Sequence, residues 1–184
     1  MIPNLPKPEL NWDHASKVFL KENVLSPEFC ESIISDNTSS LAKGVDKYPG
    51  VFTTSFHSCL LPLDHPVHAA LQETYNEILD FFKFDIDFVE PYELKRYSNE
   101  DFFGQHFDNY YCLKENIDRK ITVVALLADE ASYLGGHLNV LGKSYSGKQG
   151  SVIAFPSFFP HKVEPIVFGE RWSLIAWLWG NYWK

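Results

Sequence analysis

Cysteine is scarce in this chain, and positive charges are outnumbered by negative ones. The three cysteines, Cys30, Cys59 and Cys112, are far apart and form no C-x-x-C pair, which excludes a disulfide framework or a zinc knuckle. Lysine and arginine total 16 against 24 aspartates and glutamates, for a formal net charge of −8. Because proteins that grip nucleic-acid backbones rely on clustered positive charge, we expect no nucleic-acid partner.

Long apolar runs are also missing. No segment approaches the ~18 uninterrupted apolar residues that suggest a membrane span, and the opening MIPNLPKPEL lacks the apolar segment of a secretory signal. We therefore expect a cytoplasmic protein with no membrane partner. Hydrophobic residues make up 45% and aromatic residues 16% of the 184, so the chain can bury a core, and we expect one domain over residues 1–184.

The predicted elements are two helices followed by many short strands. A first strand, Lys17–Leu25, leads into SPEFCESIISDN, where Ser26 can cap a helix that begins at Pro27. A second helix is predicted within DHPVHAALQETYNEILDFFKF from its apolar spacing. From about residue 86 to residue 180, short runs of β-forming residues alternate with turn residues. This order predicts an α+β, mainly β fold, with a jelly-roll core and the N-terminal helices packed on one sheet.

A histidine and an aspartate two residues apart stand out in the run FFGQHFDNYY. In an extended strand His106 and Asp108 share one face, while Phe107 takes the other. Such a pair can be a buried ion pair, a catalytic dyad or two arms of a metal site.

The metal hypothesis gains support from residues near the C-terminus. His161 follows after enough strands for the sheet to fold back, and two histidines with one carboxylate form the ligand set of a non-haem Fe(II) site with open positions. Arg171 and Ser173 lie on one face of a later strand. A guanidinium can bind a carboxylate through two hydrogen bonds and stays charged when buried, so this pair suits an acidic co-substrate.

These motifs together resemble the 2-oxoglutarate/Fe(II)-dependent oxygenase superfamily, and within it the prolyl 4-hydroxylase-like group. The resemblance covers roughly residues 18–180, and it rests on the following positions: Tyr97, His106-Phe107-Asp108, Gly135-Gly136, GSVIAFPS, His161, Arg171-Trp172-Ser173 and Trp177. It implies a double-stranded β-helix with a catalytic core of about residues 86–180.

The resemblance also implies a set of ligands and site residues. His106, Asp108 and His161 would hold Fe(II). Arg171 would bind the far carboxylate of 2-oxoglutarate with help from Ser173 and Tyr97, and Trp177 would wall the co-substrate pocket. O2 would be the second co-substrate, with ascorbate as a possible supporting reductant. Gly135-Gly136 would end a loop, residues 128–136, at the mouth of the site, where Tyr110 and Tyr111 would contribute to the rim.

The implied activity is that of a hydroxylase acting on a C–H bond, with a prolyl residue in a peptide or protein as the first choice of substrate. A free amino acid or another small molecule is the main alternative. Two further classes stay open, a jelly-roll binding protein without catalysis and a metal-dependent isomerase or dioxygenase that does not use 2-oxoglutarate. Only the hydroxylase requires both Arg171 and Ser173.

Overall fold

A computed structural model describes residues 18–44, 54–109 and 116–182 of the chain. The two α-helices are Pro27–Asn37 (α1) and Val67–Phe82 (α2). The strands are Phe19–Lys21 (β1), Ala42–Lys43 (β2), Thr54–Ser55 (β3), His57–Leu61 (β4), Phe88–Val89 (β5), Tyr92–Tyr97 (β6), Phe102–His106 (β7), Ile117–Leu126 (β8), Tyr133–Gly135 (β9), Leu138–Val140 (β10), Lys143–Tyr145 (β11), Val152–Pro156 (β12), His161–Val163 (β13), Ile166–Gly169 (β14) and Arg171–Asn181 (β15).

Both predicted helices are present, and their ends follow from local chemistry. The Ser26 side chain accepts a hydrogen bond from the backbone N–H of Phe29 at 3.2 Å, which satisfies one of the free donors at the start of α1. At the C-terminal end of α2, Lys83 adopts a left-handed conformation and donates its N–H to the Leu79 carbonyl. Neither helix, within the described residues, combines the length and apolar character needed to cross a membrane.

The larger sheet carries the helices on its outer face. Its strands run antiparallel in the order β1-β12-β8-β15-β6-β4-β2, and β5 also pairs with β15. Ile33 of α1 and Leu71 and Ile78 of α2 belong to one buried cluster with Leu94 and Leu174 of the sheet. The predicted packing of both N-terminal helices on one sheet is confirmed.

The smaller sheet faces the inner side of the larger one. Its order is β11-β10-β13-β7-β3, again antiparallel. Leu138 and Val163 from this sheet share a second buried cluster with Val124, Ile153 and Ile175 from the larger sheet. Two facing antiparallel sheets form the predicted jelly-roll core, and β9 and β14 add a separate two-stranded sheet.

Two sequence predictions differ in detail. The first strand is shorter than Lys17–Leu25, because β1 covers Phe19–Lys21 and Lys17 lies outside the described residues. The strand that carries His106 ends at that residue, so Asp108 is not part of it. A single domain over residues 1–184 stays a prediction.

Candidate active site

The structure brings His106, Asp108 and His161 together between the two sheets. His106 Nε2 lies 3.4 Å from Asp108 Oδ1, and His161 Nε2 lies 3.3 Å from Asp108 Oδ2. One ligand atom from each side chain lies within 4.8 Å of the other two, and all three side chains are largely shielded from solvent. Within the part of the chain that the structure describes, this is the one cluster of three metal-binding side chains.

Strand pairing places the two imidazoles side by side. His106 at the end of β7 lies opposite His161 at the start of β13, and their ring centroids are 4.1 Å apart. Just beyond β7, the N–H groups of Asp108 and Asn109 both donate to the Ser157 carbonyl. The chain turn held by Ser157, and not a shared strand face, therefore brings the Asp108 carboxylate to the histidines. Phe107 points away and is 54% exposed.

Hydrogen bonds to the backbone orient both rings. His106 Nδ1 lies 2.8 Å from the Gly104 carbonyl, and His161 Nδ1 lies 2.9 Å from the Phe159 carbonyl. Since a carbonyl oxygen can only accept, each Nδ1 carries the hydrogen. In the neutral ring this leaves the Nε2 lone pair directed at Asp108, which is the arrangement that metal-binding histidines usually have.

Two further donors hold the Asp108 carboxylate. Thr122 Oγ1 donates to Asp108 Oδ2 at 2.8 Å, and Trp177 Nε1 donates to the same oxygen at 2.9 Å. Thr122 is also within hydrogen-bond distance of Ser157 Oγ, at 3.0 Å. Sequence reasoning missed Thr122, although it is the lone hydroxyl in the apolar part of β8.

The electrostatics of the cluster favour an ionised carboxylate. Burial alone would raise the pKa of Asp108, but His161 and His106 outweigh burial and hold this pKa well below its usual range. Burial likewise works to lower the pKa of His161, whereas the Asp108 carboxylate raises it above its ordinary value. A carboxylate that stays ionised beside two imidazoles is a donor set for a divalent cation.

A buried guanidinium lies in the same cavity as these three side chains. Arg171 at the start of β15 is only 2% exposed and donates through Nη1 to Ser173 Oγ at 3.0 Å. Tyr97 is the strand neighbour of Arg171 on β6, and its ring centroid is 5.5 Å from Arg171 Cζ. Arg171, Ser173 and Tyr97 therefore form one group in the cavity, and their binding of an acidic co-substrate stays a prediction.

The cavity itself has about 360 Å³ of space between atoms, including the part open to solvent. It is lined by Lys95, Tyr97, Phe103, His106, Asp108, Thr122, Val124, Leu138, His161, Val163, Arg171, Ser173, Ile175 and Trp177. All seven predicted site residues are in this lining. Trp177 lines the cavity and also donates a hydrogen bond to Asp108, while its predicted contact with a co-substrate stays a prediction.

The predicted glycine pair and His137 do not line the cavity. Gly136 nevertheless packs against Arg171, because a Cβ added to this glycine would be 3.0 Å from Arg171 Cδ. Both glycines have positive φ, +85° and +64°, a conformation that other residues rarely adopt. His137 is exposed and is not part of the cavity lining. Tyr110 and Tyr111, the predicted rim residues, lie outside the described residues.

Comparison with known proteins now identifies the family. Residues 92–179, which include all the cavity-lining residues, match the family model of the 2OG-Fe(II) oxygenase superfamily. This segment, just under half of the chain, is that of a 2OG-Fe(II) oxygenase superfamily domain. This chain is similar to a PKHD-type hydroxylase of Shewanella baltica (strain OS185), with 30% identity over 141 residues. The match covers 68% of this chain and 61% of that relative, so this chain spans less than two thirds of the relative's length.

Solved structures agree with this fold. The viral collagen prolyl hydroxylase of Paramecium Bursaria Chlorella virus-1, in its 2OG complex, matches with a TM-score of 0.70 and 20% identity, over 89% of this chain and 96% of that one. A Trichoplax adhaerens prolyl hydroxylase, in complex with a hypoxia inducible factor oxygen degradation domain peptide fragment, has a TM-score of 0.69 and 15% identity, over 91% and 86%. The predicted double-stranded β-helix fold is confirmed, and the prolyl 4-hydroxylase-like group within the superfamily stays a prediction.

Proposed function

We propose that this chain is a non-haem Fe(II), 2-oxoglutarate-dependent hydroxylase. The observation that carries the proposal is the joint lining of one cavity by His106, Asp108 and His161 and by the buried Arg171. The first three offer a facial set of two nitrogens and one oxygen, and the arginine offers a fixed cation for an acid. A jelly-roll protein that only binds other molecules has no need for both.

The residues fit a ferrous ion. Both histidines have Nε2 near the Asp108 carboxylate, and their Nδ1 atoms are already bound to backbone carbonyls. Asp108 supplies the anionic donor and is itself held by neutral donors. When bound there, Fe(II) with O2 supplies the oxidising power: one oxygen atom enters a substrate C–H bond, the other enters succinate, and 2-oxoglutarate loses CO2.

The chain's own residues position the co-substrate and exclude water. We assign the far carboxylate of 2-oxoglutarate to Arg171 and Ser173, with Tyr97 beside them. The three side chains are almost completely buried, which strengthens their electrostatic interaction with a bound carboxylate. The ring of Trp177 forms one wall of the same cavity. We also propose that ascorbate sustains turnover by keeping the metal ferrous.

For the substrate we propose a prolyl residue in a peptide or protein. This rests on the names of similar proteins, a PKHD-type hydroxylase and two prolyl hydroxylases, one of them in complex with a peptide. Phe107 directly precedes Asp108, and Phe158 directly follows Ser157. Both side chains are exposed and add apolar surface outside the cavity, next to the chain turn that holds Asp108. A prolyl ring, which is apolar, suits such a surface.

The activity is tested by conversion of 2-oxoglutarate to succinate by the Fe(II)-loaded protein. We expect turnover in the wild type, at least 100-fold less in His106→Ala and Asp108→Ala, and none of this loss in His137→Ala, which removes an exposed histidine outside the cavity. Undiminished turnover in either of the first two variants would contradict the proposed ligands.

The substrate is tested separately, by mass spectrometry for the gain of one oxygen atom. Proline-containing peptides are incubated with the protein, Fe(II), 2-oxoglutarate and ascorbate, beside the same peptides with alanine in place of proline. Free amino acids form the third arm. We expect the gain only in the proline-containing peptides; a gain in free amino acids alone would replace the peptide with a small-molecule substrate.

A further inference from the structure

Lys95 is a second cation in the cavity, and no predicted role accounts for it. It lies on β6 two residues before Tyr97, opposite Ser173 of β15, and it is only 5% exposed. Its side chain lines the cavity together with Arg171 and the three clustered ligands. Lysine is almost never buried this deeply unless it has a partner.

The surroundings of the ammonium group are mostly aromatic. Lys95 Nζ lies 4.6 Å from the ring centroid of Phe56, 4.8 Å from that of Phe103 and 5.8 Å from that of Trp177. Two of these rings contact the proposed metal ligands, since Phe103 stacks on His106 and Trp177 donates to Asp108. Ring faces attract a cation but accept no strong hydrogen bonds.

Glu93 is the acidic partner of Lys95, with its Oε2 at 3.2 Å from Nζ. An ammonium has three N–H donors, and Glu93 is the one carboxylate of the described residues within ion-pair distance. Burial works to lower the pKa of Lys95, but Glu93, Tyr97 and Asp108 outweigh it and raise this pKa above its ordinary value. The group is therefore a cation with donor capacity left on its cavity side.

The position of this charge lies between the two ends of the proposed co-substrate site. Lys95 lies opposite Ser173, the hydrogen-bond partner of Arg171. Its ammonium also faces the rings of Phe103 and Trp177, which contact the ligand cluster. A dianion that extends from Arg171 to a metal on the cluster therefore passes the Lys95 ammonium. A buried ion pair costs desolvation free energy that two apolar residues at the same positions would not cost. A buried lysine is therefore better explained by a ligand that binds its charge than by stability.

We propose that Lys95 is a second cationic anchor for the 2-oxoglutarate dianion, beside Arg171. The inference rests on the proposed function, because it takes 2-oxoglutarate as the ligand of the cavity. In this role the positive charge of Lys95 attracts the dianion, and the side chain does not bind the metal.

The test is calorimetric titration of 2-oxoglutarate into the Mn(II)-loaded protein under argon, which measures binding without turnover. In Lys95→Met we expect the Kd for 2-oxoglutarate to rise by about 10- to 100-fold, the usual effect of losing one charged hydrogen bond in a buried site. The Kd for Mn(II) should stay within about 3-fold, since the donors on His106, Asp108 and His161 are intact. Lys21→Met is the matched control, because it removes an ion-paired lysine at the surface.

A second pair of variants separates anchoring from simple neutralisation of Glu93. Lys95→Met leaves the Glu93 carboxylate unpaired, and its negative charge could by itself repel the dianion. The double variant Glu93→Gln with Lys95→Met removes both charges. If Lys95 anchors the ligand, the double variant binds 2-oxoglutarate as weakly as Lys95→Met to within about 3-fold, and Glu93→Gln alone binds more tightly than the wild type.

The other outcomes overturn one proposal or the other. Wild-type affinity in the double variant, or in Lys95→Met itself, would show that the lysine only balances Glu93 or packs the core, and would overturn the anchoring role. If the Mn(II)-loaded wild type binds no 2-oxoglutarate at all, the proposed function fails, whatever Lys95 does. Arg171→Gln serves as the reference, because it removes the other proposed anchor of the dianion.

Discussion

At the scale of single residues, the candidate site depends on how firmly one carboxylate is held. Asp108 is the only anion of the ligand cluster, and its Oδ2 accepts hydrogen bonds from both Thr122 and Trp177. These neutral donors take up lone pairs on the oxygen and fix the direction in which the carboxylate faces the imidazoles. Groups that orient metal ligands in this way commonly contribute as much to affinity as a weak ligand does.

We expect Thr122→Val to weaken metal binding by about 10- to 100-fold, because it removes one of the two donors to Asp108 while nearly keeping the side-chain shape. The measurement is a titration of Mn(II) followed by electron paramagnetic resonance.

Thr74→Val, at a buried threonine of α2, is the control and should leave the Kd for Mn(II) unchanged. An unchanged Kd in Thr122→Val as well would mean that Trp177 alone holds the carboxylate.

The site residues that could be predicted are those whose chemistry allows few substitutes. Histidine, aspartate and buried arginine each serve a metal or an acid in a way that other side chains cannot, so His106, Asp108, His161 and Arg171 stood out. Thr122 did not, since a threonine inside an apolar strand is a common core residue with strong β preference. Lys95 was missed for a similar reason: a lysine in a strand is normally an exposed residue.

At the scale of elements, a β-bulge in the pairing of β8 with β15 brings a charged side chain against Trp177. The register of β8 against β15 shifts between Leu178 and Trp179, so that Ile121 lies opposite Leu178 and Arg119 opposite Trp179. Arg119, which would face away from Thr122 in a regular strand, instead stacks over Trp177, with its Cζ at 4.0 Å from the ring centroid. A bulge is not visible in the alternation of residues, which is why this contact could not be predicted.

The backbone just before α1, at Val24 and Leu25, is hydrogen-bonded to Gly150. Gly150 has φ +80°, and its carbonyl accepts hydrogen bonds from the N–H groups of Val24 and Leu25 just before α1. A Cβ at Gly150 would be 1.9 Å from the Leu25 carbonyl oxygen, a distance that no real contact allows. This close approach, as well as the positive φ, requires glycine.

We expect Gly150→Ala to lower the free energy of unfolding by about 3 kcal/mol, because the backbone of residues 24 and 25 must move and both hydrogen bonds weaken. Urea denaturation measures this change.

Gly142→Ala is the matched control: Gly142 has a similar φ of +79° but no atom within 4 Å of the added Cβ. Gly142→Ala should lower the free energy of unfolding by only about 1 kcal/mol, the cost of placing alanine in the left-handed conformation. Equal losses in the two variants would mean that the contact with Leu25 contributes nothing.

At the scale of the whole molecule, the order of elements was enough to predict the architecture. Two helices followed by short strands gave a jelly roll with helices on one sheet, because each amphipathic helix must cover an apolar sheet face and the strands need antiparallel partners. The strand order was not predictable from periodicity. Long-range pairs such as β1 with β12, and β7 with β13, depend on how the inner faces pack, and packing involves residues far apart in the chain.

The cluster lies where residues distant in sequence meet, so a bound metal should stabilise the folded molecule as a whole. At a free Mn(II) concentration of 100 times Kd, binding to the native state alone adds about 2.7 kcal/mol to the free energy of unfolding. For a chain of 184 residues this corresponds to a rise in Tm of about 5–10 °C, reversed by EDTA. Differential scanning calorimetry of the wild type, His161→Ala and His137→Ala tests it: the rise should vanish only in His161→Ala, which removes the β13 ligand. A rise of equal size in His161→Ala would place the stabilising metal away from the cluster.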